Sequence, residues 1–232
     1  MKEKIVALLP MKANSTRVPG KNFKDFCGKP LFKWILDSLL AVEEIDQIII
    51  NTDAKDILLK NGLLESERIV IRQRKESICG DEVSMNVVLA DDVENIAADL
   101  YLMTHTTNPL LSSDTIKRAL AQYKNHLSSG TADSLFTVNK IQTRFYTEEC
   151  KPINHNPDNL IPTQNLEPWY EENSNLYLFN RGSFADTNAR IGRKPSMMVS
   201  PPLECSDIDT PEDWDQAVVM THYMLEKGLV KL

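Results

Sequence analysis

Short, wholly apolar runs alternate with stretches of helical periodicity through the first two-thirds of the chain. Ile5 to Leu9 is an unbroken apolar run that stops at Pro10, the pattern of a strand buried on both faces. Pro30 suits a first helical position, and Leu31, Trp34, Ile35 and Leu39 then recur at helical spacing. Gln47 to Ile50 predicts a second buried strand, ending in the polar Asn51-Thr52-Asp53, and Ile69 to Ile71 a short third. Asp81 to Ala98 reads as a helix with Met85, Val88, Leu89, Val93 and Ile96 on one side. Leu100 to Met103 is a strand that runs out into Thr104 to Pro109. Ser112 or Ser113 caps a helix with Ile116, Leu120, Tyr123 and Leu127 on its apolar face, and Ser134 to Val138 is a further strand. The order predicts an α/β fold: a mostly parallel, right-handed sheet with helices on both faces.

Residues 140 to 200 break this rhythm. Pro152, Pro157, Pro162, Pro168 and Pro195 discourage long helices, and only Asn175 to Asn180 reads as a strand. Such a segment predicts an excursion from the core: a lid, a hairpin arm or a dimerisation element. Regular structure returns near Asp207. Thr210 caps a last helix with Pro211 at its first position and Asp213 placed for a capping box; Trp214, Val218, Thr221 and Leu225 form its stripe, and Gly228 ends it. At 232 residues the chain is read as one domain spanning 1–232, with the arm inserted at about 140–200.

Charge changes the picture of what is bound. The net charge of -7 argues against a nucleic-acid partner, which needs a basic face. No apolar run reaches membrane-spanning length and no export signal is read, so the expectation is a cytoplasmic protein without a membrane partner. Cys27, Cys79, Cys150 and Cys205 lack metal-ligand spacing and read as free thiols of a reducing compartment.

Against this acidic background one loop is basic. Lys12, Arg17, Lys21 and Lys24 follow the first strand among Ala13, Asn14, Ser15, Thr16, Gly20 and Asn22. Cations and backbone N–H groups at the carboxyl end of a strand in an open α/β sheet form a site for a polyphosphate. It is not a P-loop, and no GxGxxG occurs. Near the other end, Asp207-Ile208-Asp209 places two carboxylates on one face of an extended segment, roughly 6–7 Å apart. Such a pair suits magnesium shared with substrate phosphates, and equally suits a helix N-terminus.

These motifs together resemble those of the sugar-acid cytidylyltransferases, the CMP-sialic acid synthetases and 3-deoxy-octulosonate cytidylyltransferases. Pro10 to Lys21 (PMKANSTRVPGK) is similar to P-A-R-x-x-S-T-R-L-P-G-K, and Lys21-Asn22 matches the K-N of the sialic type. Cys27 to Leu31 (CGKPL) matches x-G-x-P-L, Asn51 to Asp53 resembles [ST]-T-D, and Arg74 to Asp81 resembles R-P-x-x-L-A-x-D. Thr107 to Leu110 (TNPL) resembles T-S-P-L, Gln164 to Tyr177 resembles Q-x-L-P-x-x-Y-x-x-N-G-x-x-Y, and Asp207 to Asp213 (DIDTPED) is close to D-I-D-T-P-x-D.

The resemblance implies a three-layer α/β/α nucleotidyltransferase fold with a small dimerisation arm, a homodimer, and transfer of CMP from CTP to the hydroxyl of an acidic sugar with release of pyrophosphate. Carried over residue by residue, it implies a CTP site of Lys12, Ser15, Arg17, Lys21, Asn22, Arg74 and Ser84. Within it Lys12, Arg17 and Lys21 hold the triphosphate, and Asn22, Arg74 and Ser84 help to recognise the cytidine. Asp207 and Asp209 bind Mg2+ and, with Lys21, form the catalytic set; Lys140, Gln164 and Tyr177 lie near the acceptor. Two positions depart from the pattern. Lys12 stands where the family has arginine, keeping the charge without the bidentate fork. His105 stands where the sialic type has glutamine by the sugar, so it is read as an acceptor contact. Other readings stay open. They are a phosphate or phosphonate acceptor held by Arg144, Arg181, Arg190 and Arg193, a DxD glycosyltransferase, and a silent binding paralogue.

Overall fold

A computed structural model describes residues 2–231. The chain forms β1 (Ile5–Leu8), the two-residue strands β2 (Asp25–Phe26) and β3 (Lys29–Pro30), α1 (Leu31–Leu40), β4 (Gln47–Thr52), α2 (Lys55–Lys60) and β5 (Ile69–Gln73). There follow α3 (Met85–Asn95), β6 (Leu100–Met103), α4 (Ser113–Ser129), β7 (Ser134–Ile141), β8 (Trp169–Phe179), α5 (Arg181–Thr187), β9 (Pro195–Val199) and α6 (Pro211–Glu226). Seven strands make one sheet in the order β5-β4-β1-β6-β8-β7-β9. All run in one direction except β8, which is antiparallel to both of its neighbours.

Side-chain alternation divides this sheet between two cores. Ile5, Ala7 and Leu9 face one side with Leu100, Leu102, Leu176 and Leu178, where Phe32, Ile35 and Leu39 of α1 and Ile116 and Leu120 of α4 cover them. Val6 and Leu8 face the other with Tyr101, Met103, Tyr177 and Phe179, against Leu89 and Val93 of α3 and Phe184 of α5. A period of two on every central strand, with helices above and below, is the expected three-layer α/β/α arrangement. A third cluster, Phe26, Leu31, Trp34, Ile208, Trp214 and Ala217, seats α6 against α1.

The caps follow the residues that predict them. Ser84 starts α3 by accepting from the Asn86 N–H, and Ser112 starts α4 by accepting from the Thr115 N–H. Thr210 and Asp213 close a full capping box on α6. Pro30 is the N-cap of α1, one residue ahead of the expected first helical position.

The region after residue 140 departs most from the sequence expectation. Asn175 to Phe179 belongs to a strand that begins at Trp169 and lies in the middle of the sheet between β6 and β7, while Asn180 caps α5. Between Phe136↔Tyr177 and Val138↔Glu172 the register shifts, so β8 bulges, with Ser174 at φ 56. Bulges of this kind re-aim side chains beside functional sites. Residues 142–168 leave the sheet and return to it at the Ile141↔Trp169 pair.

Candidate active site

The first site element is the loop after β1. The β1 register continues through Met11, whose N–H donates to Asn51 O at 3.1 Å, so the loop leaves directly beside the end of β4. The Asp53 carboxylate then takes the Ala13 N–H at 2.7 Å. Thus Asn51 to Asp53 anchors the basic loop. Gly20, at φ 63, turns the chain into a single 3-10 turn over Lys21–Phe23. Asn22 reaches back from that turn: its Nδ2 donates to Lys12 O at 2.8 Å, and its Oδ1 accepts from the Thr106 hydroxyl at 2.6 Å.

The second element is Asp207-Ile208-Asp209. Ile208 is fully buried in the α1–α6 cluster, and its N–H donates to Thr107 O at 2.9 Å. The aspartates on either side are thereby fixed near the end of β6. The Asp213 carboxylate accepts from the N–H groups of Asp209 and Thr210, tying the segment to the N-terminus of α6. Lys21 joins the two elements. Its side chain, 8% exposed, donates to the Ile208 carbonyl and pairs with Asp209 Oδ1 at 3.5 Å, and Arg17 pairs with Asp209 Oδ2 at 3.0 Å. Burial lowers the Lys21 pKa while the charge of Asp209 opposes the shift.

Asp207 has no such partners. Its Oδ1 is buried and makes no hydrogen bond. Burial pushes its carboxyl pKa up, with the Asp209 charge acting in the same direction and Thr107 opposing. A carboxylate oxygen left without a donor beside a cavity fits a hard cation. Among the described residues no three acidic, histidine or cysteine side chains cluster as a ready metal cage.

Both elements line one cavity of about 510 Å³. It brings together Lys12, Ser15, Arg17, Lys21, Asn22, Arg74, His105, Asp207 and Asp209 of the sequence-derived set. Lys12 Nζ is held at the rim by Gly80 O at 2.8 Å and Asp81 Oδ1 at 3.1 Å. Arg74 is buried, with Nε donating to Asn51 Oδ1 at 2.9 Å and Nη2 to Asn51 O at 2.7 Å. Asn51 in turn donates to Asp92 Oδ1 at 2.9 Å, which closes a buried Asp92–Asn51–Arg74 chain leading to the cavity wall.

The cavity does not bring in the remaining four. Ser84 is engaged as the cap of α3, Lys140 is exposed on β7, and Gln164 is exposed on the Thr163–Asn165 turn. Tyr177 is fully buried in β8, beneath Arg190. Conversely, Arg190, which belongs to no motif, lines the cavity, as does Ser174, which stands at the glycine position of the Gln164 to Tyr177 motif. Of the four arginines weighed for a phosphate acceptor, only Arg190 is there. The others donate to backbone carbonyls: Arg144 to Ile161, Arg181 to Ile96 and Arg193 to Asp186. A second cavity, about 310 Å³, adjoins at Asp207 and is lined by Asn139, Glu171, Glu172, Asn173, Ser206 and Gln216 among others.

Known proteins resemble this chain in sequence and in fold. Residues 6–194 match the family model described as Cytidylyltransferase. The chain is 27% identical over 226 residues to CMP-N,N'-diacetyllegionaminic acid synthase of Legionella pneumophila, covering 91% of this chain and 93% of that one. It is 23% identical over 227 residues to pseudaminic acid cytidylyltransferase of Campylobacter jejuni, covering 94% and 96%. Its fold superposes on the structure of CMP:2-keto-3-deoxy-manno-octonic acid synthetase complexed with CTP with a TM-score of 0.67 at 15% identity, over 95% of this chain and 99% of the other. With a basic loop, an aspartate pair and a family match running from β1 to the residue before β9, the chain is a nucleotidyltransferase that belongs to the cytidylyltransferase family.

Proposed function

We propose that this chain transfers CMP from CTP to a hydroxyl of a sialic-acid-like nonulosonic or other 2-keto-3-deoxy sugar acid, releasing pyrophosphate. One observation carries the reading: a single cavity at the carboxyl ends of β1 and β6 gathers Lys12, Arg17, Lys21 and Arg74 with Asp207 and Asp209. The names of the full-length relatives support the choice of acceptor.

The acceptor oxygen attacks the α-phosphorus of CTP, the bond to the β-phosphate oxygen breaks, and pyrophosphate leaves. The chemistry asks for neutralised phosphate oxygens and an aligned hydroxyl. Lys12 and Arg17 stand at the mouth of the loop to hold the triphosphate, with Ser15 and the loop N–H groups beside them. Lys21, buried and fixed between Ile208 and Asp209, meets charge that builds on the transferring phosphate. Arg74 and Asn22 form the cytidine side, Asn22 by fixing the loop and Arg74 from the wall, while Ser84, the cap of α3, stands outside the cavity. The acceptor proton is assigned to one of the two aspartates, and Asp207, whose Oδ1 has no hydrogen bond, suits it better than Asp209, which is paired with Arg17 and Lys21. Mg2+, which these aspartates suit, supplies charge neutralisation on the phosphates when bound.

Of the four residues expected at the acceptor, His105 lies on the cavity wall and Tyr177 acts from beneath Arg190, while Lys140 and Gln164 stand outside this cavity. A phosphate acceptor is disfavoured because Arg144, Arg181 and Arg193 are turned to backbone carbonyls. We also propose a homodimer. Exposed Tyr146, Ile153, Leu160 and Trp169 on and beside the arm, and exposed Met197 and Val199 on the edge strand β9, support a second copy as the covering partner. No helix among the described residues is long and apolar enough to cross a membrane, and the need for CTP supports a cytoplasmic setting.

The test is incubation with CTP, Mg2+ and a panel of sugar acids and phosphorylated acceptors, reading pyrophosphate and CMP-conjugates by mass. Conjugates of 2-keto-3-deoxy acids are expected; conjugates of phosphorylated acceptors alone, or no CTP consumption, overturn the assignment.

A further inference from the structure

Across the cavity from the basic loop, one cation is held in place by an unusual number of contacts. Arg190 lies in the loop between α5 and β9, and that loop is fastened along its length. Gly192 N–H donates to Ser134 Oγ at 2.8 Å, and the N–H groups of Arg193 and Lys194 both donate to Asp133 Oδ2, at 2.9 and 3.0 Å. A Cβ on Gly192 would stand 2.3 Å from Asp133 Oδ1, so backbone and carboxylate meet at a distance only glycine allows. The Arg190 N–H reaches Asn86 Oδ1 on α3 at 3.3 Å.

The guanidinium itself is oriented from three sides. Its carbon lies 3.8 Å from the centroid of the Tyr177 ring. Nη1 donates to His105 Nε2 at 3.2 Å, and Nη2 donates to Glu172 Oε1 at 3.3 Å. Because His105 Nε2 accepts, the imidazole carries its proton on Nδ1. Burial, together with Arg190 and Lys21, pushes its pKa down to about 3, so it stays neutral and keeps accepting. Nη1 also donates to Met103 Sδ at 3.8 Å; Nε and the second Nη2 N–H remain beyond these bonds, and the side chain is 19% exposed, toward the cavity.

Position separates Arg190 from the triphosphate cations. Lys12, Arg17 and Lys21 belong to the β1 loop and Arg74 follows β5, whereas Tyr177 beneath Arg190 is on β8, two strands beyond β1 in the order β1-β6-β8. At about 4.8 Å per strand step that is roughly 10 Å across the sheet. Arg190 is the one cation lining this end of the cavity among the described residues. The adjoining second cavity is walled by amides, carboxylates, the Ser206 hydroxyl and the Cys205 thiol, with no lysine or arginine among the described residues, so it suits hydroxyl and amide N–H groups and not a second anion.

We propose that Arg190 is the specificity-determining residue for the acceptor, gripping its carboxylate through the guanidinium N–H groups left free by His105 and Glu172, with His105 as its positioning residue; this rests on the reading of the acceptor as a sugar acid. A planar fork held by stacking is preorganised for bidentate carboxylate binding. The carboxylate then points toward β8 and the hydroxylated remainder of the acceptor toward the second cavity.

The test compares a sugar acid that the wild-type protein turns over with its primary amide, measuring pyrophosphate release at saturating CTP and Mg2+. Wild type is expected to favour the acid by about 100-fold in kcat/KM. Arg190→Gln is expected to raise the KM of the acid by about 30-fold and to leave the KM for CTP within about 3-fold, while the acid-over-amide preference collapses; Arg190→Lys falls between. His105→Leu weakens the preference, and His105→Gln, whose amide oxygen again accepts from Arg190, restores it. CTP-induced thermal stabilisation of Arg190→Gln shows that the variant is folded. An unchanged KM for the acid, an equal loss on acid and amide, or a matching rise in the KM for CTP overturns the proposal. Absence of any wild-type turnover with sugar acids overturns the acceptor reading itself, and this proposal with it.

Discussion

Arg190 lies over the ring of Tyr177 at 3.8 Å, and the Tyr177 hydroxyl donates to Glu172, the same carboxylate oxygen that accepts from Arg190. One buried aromatic therefore supports both members of an ion pair at the cavity wall, the ring beneath the cation and the hydroxyl beneath the anion. Burial pushes the Tyr177 phenol pKa well up, so it remains a donor across the working pH range.

The two functions of Tyr177 separate by mutation. Tyr177→Phe keeps the ring and removes the bond to Glu172, and is expected to cost about 1 kcal/mol of stability with little effect on acceptor KM. Tyr177→Leu removes the stack, worth about 1–2 kcal/mol for a partly desolvated cation, and is expected to raise acceptor KM about 5- to 30-fold. Urea denaturation and steady-state kinetics on the two variants read this split. Equal acceptor KM in both would mean that the ring does not support Arg190.

Lys21 is the joint between the basic loop and the aspartate pair. In Lys21→Met the stem remains, but the Ile208 carbonyl loses its buried donor and Asp209 loses a charge partner. A loss of about 1–3 kcal/mol in stability follows from the unpaired carbonyl. Turnover is expected to fall by about 10²- to 10³-fold, through kcat more than through CTP KM, because the charge acts on the transferring phosphate. Pyrophosphate release and a urea melt of the same sample check both. Turnover within about 3-fold of wild type would confine Lys21 to a structural part.

Much of this was legible because the signals are local. Ile5 to Leu9, Leu100 to Met103 and the capping box at Thr210 each declare themselves within a few residues, and the basic loop stands out against an acidic chain. What escaped is assembled by long-range pairing. Glu171 to Asn175 is a polar run without period, yet it lies in a strand and its bulge, and this delivers Glu172 and Ser174 to the site. The short α2, α5 and β9 carry too few apolar positions to show a period. Arg190 looked like its neighbours Arg181 and Arg193 in sequence. Only the fold distinguishes the arginine facing the cavity from two that cap carbonyls.

Asp92 sets a pH dependence of known sign. It is fully buried and takes hydrogen bonds from Asn51 and Arg72 on one oxygen, while its other oxygen has no partner. Burial raises its pKa from 3.8 to about 6. Because the folded state then holds the proton more tightly than the unfolded one, this residue's contribution to stability falls as pH rises from about 4 to about 6. The two-unit difference amounts to about 3 kcal/mol. Asp46, Glu65 and Asp213 are shifted down, by Lys2, the Ile71 N–H and Thr210, so their effects act at the acid side of that window and carry the opposite sign. In Asp92→Asn the Asp92 contribution is absent. The stability of the variant relative to wild type should therefore improve by up to about 3 kcal/mol between pH 4 and pH 7. Urea melts at a series of pH values read the difference, and a flat difference would refute it.

The aspartate pair invites an asymmetric test. Asp209 is 44% exposed and paired with Arg17 and Lys21, whereas Asp207 holds a buried oxygen with no donor and an upward-shifted pKa. At neutral pH the Asp207 charge therefore opposes folding in the free protein, since its raised folded pKa makes the ionised form unfavourable. Asp207→Asn should melt above wild type in the absence of ligands, because it removes that charge at constant shape. It should also lose turnover by about 10²-fold or more, and lose the added stabilisation that Mg2+ gives with CTP. Asp209→Asn should melt at or below wild type, since Arg17 and Lys21 lose their anion. Thermal melts with and without CTP and Mg2+, alongside pyrophosphate release, measure all of this. A lower unliganded melting temperature for Asp207→Asn with turnover retained would show that the buried oxygen serves the fold and not the reaction.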